Sequence, residues 1–358
     1  MATCKSSSSS WYILLFFSFV ACFPMLLNAS SDKPRELVLL NWADYMDPDV
    51  LSAFEKKYNA KVLTPYYESD DHRTEMLVQS GGKNYDLVIV DSPSIYTYAK
   101  AGWLAQLETA QIPNLKNIGA RWRDSNDLKS KYSVPFMWGT LGIAYREDLV
   151  KNIPSKWMDL FRPDESLQGK IAMYRNTLDM IGASLKALGH SLNSTDPAHL
   201  EQAKQLILQQ VPYVRSYNYL SLSEKSALIT GEVVASMFYN SDALLLQEFN
   251  EHIKFVLPEE GGALWVDHLV VLQSSNNKDL AWKFINFIHQ PENAAKLAEF
   301  IYTATPNTAA EALLPEEFLQ DPVIYPDAKI LQKSEMNLPL PGDIVRRRND
   351  IITLLPVK

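Results

Sequence analysis

A tryptophan stands beside an aspartate, next to an apolar run, at two distant places in this chain. Trp42 and Asp44 follow the apolar run at residues 37–40, and Trp265 and Asp267 precede the apolar run at residues 269–272. Each run predicts a buried strand. Ligands bind at strand ends in open α/β sheets, so both pairs lie where a binding site is expected. An indole face beside a carboxylate suits an organic cation with an apolar stem. If the two pairs converge in the fold, they predict a site that binds a cationic metabolite rather than one that catalyses a reaction.

Each of these residues also has a purely structural interpretation. A tryptophan alone is more often a core side chain, and an aspartate alone is more often a helix cap or a surface charge. Asp179 could be a first-turn acid favoured by the helix dipole, and the segment from Tyr239 to Asp242 could cap the next helix. Taken singly, a structural role is the simpler interpretation. Their joint placement at strand and helix ends is what favours a site.

The sequence carries few other signals for chemistry. Six histidines are scattered without the spacing of a metal site, and there is no nucleophile elbow and no phosphate-binding glycine loop. We therefore predict no metal, no cofactor and no catalytic residue. A glycosidase-like enzyme remains the alternative, because two carboxylates from distant segments could serve one.

The beginning of the chain has the pattern of a secretory signal peptide. Lys5 and a serine run precede an apolar stretch, and a small-residue cleavage site lies before Ser30. Removal of residues 1–29 would take away both cysteines, Cys4 and Cys22, although lipidation of Cys22 stays open. A cysteine-free exported chain is typical of the bacterial periplasm. Loss of Lys5 changes the net charge from −8 to −9, which disfavours nucleic acid as a partner and mildly favours cationic ligands.

The remaining chain predicts an α/β fold in two lobes. Its 358 residues exceed one comfortable core, and short apolar runs alternate with helical patterns. The predicted strands are residues 36–40, 61–67, 85–90, 171–174, 214–217, 233–239 and 253–257. The predicted helices are residues 50–58, 73–79, 178–188, 197–210, 242–249, 280–288, 294–300 and 344–355. Asp47-Pro48 and Asp196-Pro197 both have the pattern of a helix start. No linker is apparent, so we expect the chain to cross between the lobes more than once.

Several segments of the chain resemble the bacterial periplasmic spermidine/putrescine-binding proteins, in order and in spacing from about residue 36 to residue 327. The segments are residues 41–45, 85–90, 132–139, 261–267 and 305–307. The chain is also similar to the branch of periplasmic norspermidine sensors, which report to an inner-membrane cyclic-di-GMP enzyme. The resemblance implies a two-lobed, type II-like periplasmic binding fold with multiple hinge crossings. Lobe 1 would comprise residues 36–140 plus 266–311, and lobe 2 residues 141–265 plus 312–358.

The resemblance also implies a set of ligand contacts. They are Trp42, Asp44, Tyr45, Asp91, Asp179, Tyr239, Asp242, Trp265, Asp267 and Tyr302. This chain departs from the family pattern at Asp91, which replaces a serine, and at Tyr239, which replaces a tryptophan. Thr303 lies at a usual tyrosine, for which Tyr302 could substitute, and Asn337 lies near a usual glutamine. Asp91 could select for a third amine of the ligand, or it could merely cap the helix that follows.

The expected function is therefore binding of a polyamine in the periplasm. Carboxylates and tyrosine hydroxyls can accept hydrogen bonds from ammonium groups, while aromatic faces cover the methylene stem. The sequence leaves open whether the ligand is spermidine, norspermidine or putrescine. It also leaves open whether the partner is an inner-membrane permease or an inner-membrane cyclic-di-GMP sensor.

Overall fold

A computed structural model describes residues 1–3, 33–123 and 131–357 of the chain. Apart from its first three residues, the predicted signal peptide at 1–29 lies outside the described residues. The chain divides into two compact units, Met1–Pro34 and Arg35–Lys358, and the second unit holds every helix and strand discussed below. Within the described ranges, no helix combines the length and the apolar character that crossing a membrane requires.

Strands and helices alternate along the second unit, as the sequence predicts. The strands are β1 Arg35–Trp42, β2 Ala60–Leu63, β3 Tyr66–Tyr67, β4 Leu87–Asp91, β5 Ser133–Arg146, β6 Ile171–Ala172, β7 Val214–Ser216, β8 Ala235–Tyr239, β9 Ile253–Val256, β10 Ala263–Val271 and β11 Glu335–Met336. The helices are α1 Pro48–Tyr58, α2 Asp70–Ser80, α3 Ser92–Lys100, α4 Ala120–Arg123, α5 Trp157–Phe161, α6 Thr177–Ala187, α7 Pro197–Gln210, α8 Ala227–Thr230, α9 Asn240–Gln247, α10 Lys278–Ile288, α11 Pro291–Ile301, α12 Thr308–Glu311, α13 Glu316–Gln320, α14 Ala328–Leu331 and α15 Gly342–Thr353.

Both helix starts read from the sequence are confirmed. Asp47 caps α1 by accepting a hydrogen bond from the Asp49 amide at 2.7 Å. Asp196 caps α7 by accepting from the Ala198 amide, also at 2.7 Å. In each case a proline occupies the first helical position, where its missing N–H leaves no hydrogen bond unmade.

The strands join into one curled sheet with the order β2-β1-β4-β10-β5-β8-β6-β7. The outer strands are parallel, because β1 pairs with β2 and β4, and β6 pairs with β7 and β8, in that sense. The central strands are antiparallel, since β10 runs against both β4 and β5, and β5 runs against β8. Two parallel halves are therefore joined through an antiparallel centre.

Strand β5 runs through both halves of the sheet. Its first half, up to Thr140, pairs with β10, and its second half, from Leu141, pairs with β8 and β9. All 14 of its residues are buried. The strand was not predicted, because Pro135, Gly139 and Gly142 interrupt it and such residues normally mark turns.

The apolar core is divided in the same way as the sheet. The largest buried cluster draws on residues between 37 and 137 and between 269 and 314. The second largest draws on residues between 141 and 263 and on four residues of the C-terminal segment, Ile344, Ile351, Ile352 and Leu355. The fold is thus two-lobed, with crossings through β5 and β10. The exact lobe boundaries stay a prediction.

The placement of Trp265 and Asp267 also differs from the sequence prediction. Trp265 and Asp267 were expected just before a strand at residues 269–272, but both lie inside β10. The strand extends further because its first residues pair with β5, and pairing of this kind depends on tertiary contacts that a local apolar run does not reveal.

Candidate functional site

A cavity of about 50 Å³ lies where the two halves of the sheet meet. Its walls come from the start of α2, the β4–α3 junction, the start of α6, the end of β8 and the start of β10. The lining residues are Asp70, Asp91, Ser92, Pro93, Asn176, Leu178, Asp179, Tyr239, Ala263, Leu264, Trp265, Val266 and Asn337. Three of these side chains are carboxylates and two are large aromatics, so the cavity is acidic and aromatic.

Asp179 is held in the first turn of α6 and faces the cavity. Asn176 caps this helix by accepting hydrogen bonds from the amides of Leu178 and Asp179, at 2.8 and 3.1 Å. The Asp179 side chain is buried, at 5% exposure, and its Oδ2 atom accepts a hydrogen bond from the Tyr239 hydroxyl at 2.7 Å. Burial raises the pKa of Asp179 to about 7, although the hydrogen bond from Tyr239 opposes the shift. No lysine or arginine of the described chain forms an ion pair with this carboxylate.

Trp265 and Tyr239 form an aromatic wall beside this carboxylate. Their ring centroids lie 6.5 Å apart with the planes at 85°. The indole crosses directly over Gly139 of β5, where an added Cβ would lie 2.3 Å from Trp265 Cζ2 and 2.4 Å from Asn240 Oδ1. Only glycine fits at this position, so the aromatic wall depends on the absence of a side chain at residue 139.

Asp267 lies near this cavity but does not line it. It is half-buried in β10, directly opposite Asp91 of β4. Burial raises the pKa of Asp267 to about 7, the nearby Tyr45 hydroxyl opposes the shift, and the charge of Asp91 adds to it. Trp42 is the last residue of β1, and its ring centroid lies 4.4 Å from that of Tyr67.

Asp91 lines the cavity and has a protein cation as a partner. Its Oδ1 atom lies 2.5 Å from Arg73 Nη2 and also accepts from the Ser94 hydroxyl. Asp91 occupies the N-cap position of α3, yet its side chain caps no backbone amide of that helix. Of the two alternatives that the sequence leaves open for Asp91, capping of α3 by its side chain is therefore wrong, because the carboxylate pairs with Arg73 instead.

The remaining predicted residues lie farther from the cavity. Asp242 is half-buried and accepts a hydrogen bond from the Tyr219 hydroxyl, and burial raises the pKa of Asp242 to about 6. Asp44 is exposed and has a left-handed backbone, with φ of 52°. Tyr302 donates a hydrogen bond to Glu248 Oε1 at 3.1 Å near the surface. None of these three described side chains lines the cavity.

Sequence reasoning missed two charged residues of the site. Asp70 lines the cavity at the start of α2, and Arg73 is completely buried one turn later. The Asp-x-x-Arg spacing was available in the sequence, since residues three apart on a helix face each other. Charged residues in the first turn of a helix are usually solvated, so this spacing alone does not indicate a buried site.

A two-lobed α/β fold with an acidic and aromatic cavity at its crossing strands defines a protein that binds small solutes. A family model described as bacterial extracellular solute-binding protein matches residues 49–326. This chain therefore belongs to that family.

Named relatives agree with this assignment. The spermidine/putrescine-binding periplasmic protein of Escherichia coli (strain K12) is 31% identical over 310 residues, which cover 86% of this chain and 88% of that protein. The putrescine/cadaverine-binding protein of Pseudomonas aeruginosa is 30% identical over 312 residues, which cover 84% and 87%. The crystal structure of the spermidine/putrescine ABC transporter substrate-binding protein PotD from Streptococcus pneumoniae superimposes with a TM-score of 0.79 at 30% identity, over 89% of this chain and 98% of that one.

Proposed function

We propose that this protein binds a linear polyamine in the periplasm and closes its two lobes around it. The observation that carries the proposal is the state of Asp179, a carboxylate at 5% exposure whose partner is the hydroxyl of Tyr239. An ionised carboxylate is costly to bury unless a cation neutralises it. The described residues supply no such cation at Asp179, so the natural counter-ion is an ammonium group of the ligand.

The other cavity walls suit the rest of such a ligand. The faces of Trp265 and Tyr239 can cover methylene groups and attract an ammonium through cation–π contact. Asp70 and Asp91 provide acceptors on the opposite side, in the first half of the sheet. A linear chain with a cationic group at each end can therefore bridge the two lobes, and binding to both lobes favours the closed state. Asp267 and Asp242 would supply further negative charge around this path.

The glycosidase-like alternative receives no support from the electrostatics. A paired-carboxylate enzyme needs one acid that stays protonated and one that stays ionised, which requires environments that push the two pKa values apart. Here the pKa values of Asp179 and Asp267 are both raised to about 7, and burial is the main cause in each case. We therefore propose a binding protein without a catalytic role.

For the membrane partner we propose an import complex. The names of the relatives favour this choice, since one of the superimposed proteins is the substrate-binding component of an ABC transporter. A signalling partner that handles cyclic-di-GMP has no comparable support. The gene neighbourhood provides a direct test, because an adjacent permease and ATPase operon is expected, whereas an adjacent cyclic-di-GMP enzyme would favour sensing.

Calorimetric titration of the mature protein tests the ligand class. At least one of putrescine, cadaverine, spermidine and norspermidine should bind tightly, and a neutral sugar and a neutral amino acid should give no heat. The variant Asp179→Asn should lose affinity for the polyamine, while Asp343→Asn, at an exposed first-turn acid of α15, should behave like the parent. Binding of the sugar or the amino acid with no response to any amine would refute the proposal.

A further inference from the structure

Arg73 is a fully buried cation directly behind the cavity wall. Its side chain is 0% exposed, and its guanidinium lies 2.6 Å from Asp70 Oδ1 and 2.5 Å from Asp91 Oδ1. The same group donates to Ser94 Oγ at 2.7 Å and to the Tyr98 hydroxyl at 3.2 Å. A guanidinium with this many fixed acceptors is a permanent charge, since arginine does not lose its proton in proteins.

The two carboxylates that Arg73 holds remain accessible from the cavity. Asp70 and Asp91 both belong to the cavity lining, whereas Arg73 does not. Their side chains keep 40% and 24% exposure, respectively, against none for the arginine. Arg73 engages the Oδ1 atom of each carboxylate, so a ligand ammonium can approach the pair from the cavity while the arginine stays behind it.

The net charge of this group follows directly. Two carboxylates and one guanidinium carry a net charge of −1, although two acids are visible from the cavity. We propose that Asp70, Arg73 and Asp91 together form a single ammonium subsite, and that Arg73 determines specificity by limiting this end of the cavity to one positive charge. The proposal rests on the proposed polyamine function and identifies the residue that sets the ligand's charge.

This arrangement revises the expectation for Asp91. If Asp91 stood alone, it would add one subsite and favour a triamine. Because Arg73 neutralises one of the two acids, the subsite matches one ammonium, and Asp179 at the other wall matches a second. An additional ammonium at this subsite would lie close to the Arg73 guanidinium without a matching negative charge. Like charges in a buried site repel each other strongly.

Variants of Arg73 test the charge count. Arg73→Met should change the net charge of the subsite from −1 to −2 at pH 8. The preference for spermidine over putrescine should therefore rise at least tenfold relative to the parent. Arg73→Lys keeps the charge and should keep the parent preference. The double variant Arg73→Met/Asp91→Asn returns the net charge to −1, so it should return to the parent preference as well. Calorimetric titration with both amines measures all four proteins.

A second substitution keeps the proposal testable if Arg73→Met does not fold. Asp70→Asn should leave the subsite neutral and lower the putrescine affinity at least tenfold. Asp71→Asn, at the neighbouring exposed acid of the same helical turn, is the matched control and should have no effect. An unchanged amine preference in folded Arg73→Met, or parent-like putrescine binding by Asp70→Asn, would overturn the inference. If the parent binds none of putrescine, cadaverine, spermidine and norspermidine, the proposed function itself fails.

Discussion

Replacement of Asp179 by asparagine should stabilise the ligand-free protein and weaken polyamine binding, so the two effects of this carboxylate can be measured separately. The substitution keeps the shape of the side chain and an oxygen that can accept from the Tyr239 hydroxyl, but it removes the charge. In the parent, burial raises the pKa of Asp179 from its ordinary value of 3.8 to about 7. The carboxyl is therefore easier to protonate in the folded protein than in the unfolded chain, and its ionisation destabilises the ligand-free fold.

The sign and the size of the effect follow from linkage. When the pKa of a carboxyl is raised on folding, the free energy of unfolding falls as the pH rises from the unfolded pKa to the folded pKa. A shift of about three pKa units corresponds to about 4 kcal/mol once the group is fully ionised, at about 1.4 kcal/mol per unit. At pH 5 the folded carboxyl is still protonated whereas the unfolded one is already largely ionised, so the carboxyl destabilises the fold by about 1.5 kcal/mol by the same relation. The stability gain of Asp179→Asn should therefore be about 2 to 3 kcal/mol larger at pH 8 than at pH 5.

Urea denaturation of the ligand-free parent and variant at both pH values measures this difference. A saturating polyamine should reduce the stability gain of the variant by about 2–5 kcal/mol, because the variant leaves a buried ammonium without its carboxylate. Asp343→Asn is the control, since that first-turn acid is exposed. If the Asp179→Asn difference is the same at pH 5 and pH 8, the carboxyl is not desolvated and the reasoning is wrong.

Three further predictions concern the same cavity. Since burial raises the pKa of Asp179 to about 7 and that of Asp70 to about 6, polyamine binding at pH 6 should release one to two protons and at pH 8 almost none, as calorimetry in buffers of different ionisation heat will show. Gly139→Ala should cost about 1–3 kcal/mol in urea denaturation because its Cβ meets the indole, whereas Gly182→Ala, within α6 and with its nearest contact at 3.4 Å, should be neutral or stabilising. Tyr239→Phe removes the hydrogen bond to Asp179 and should weaken polyamine binding in calorimetry about tenfold, in line with a hydrogen bond to a charged group; parent-like affinity would show that the hydroxyl is dispensable.

Local patterns were sufficient for most helices and for the outer strands. The Asp-Pro pairs that begin α1 and α7 are complete signals, because the cap and the proline act within one turn. The single strand predicted at residues 61–67 is divided into β2 and β3, since Pro65 between them cannot donate to a ladder. The central strand β5 was missed because its stability comes from burial between β10 and β8 rather than from its own sequence.

The site shows the same contrast. One cavity is lined by three residues that the sequence predicts for the site, Asp179, Tyr239 and Trp265. Each stands at or near the end of a helix or strand, and therefore near the strands that cross between the lobes. The pairing of Asp91 with Arg73 was not foreseen. It is a tertiary contact between residues 18 positions apart, and a buried arginine has no signature in the sequence that distinguishes it from a solvated one.

The placement of the acids connects binding to closure. Asp179 projects from the second half of the sheet, and Asp70 and Asp91 project from the first half. The charges of Asp70 and Asp91 contribute to the raised pKa of Asp179, so the carboxylates repel one another across the cavity. In the absence of a ligand this repulsion opposes closure, and we expect the open form to gain stability as the pH rises and Asp179 ionises. An ammonium group at each wall would replace the repulsion by attraction, and on the proposed function this difference between the two states is what would allow the ligand to close the lobes.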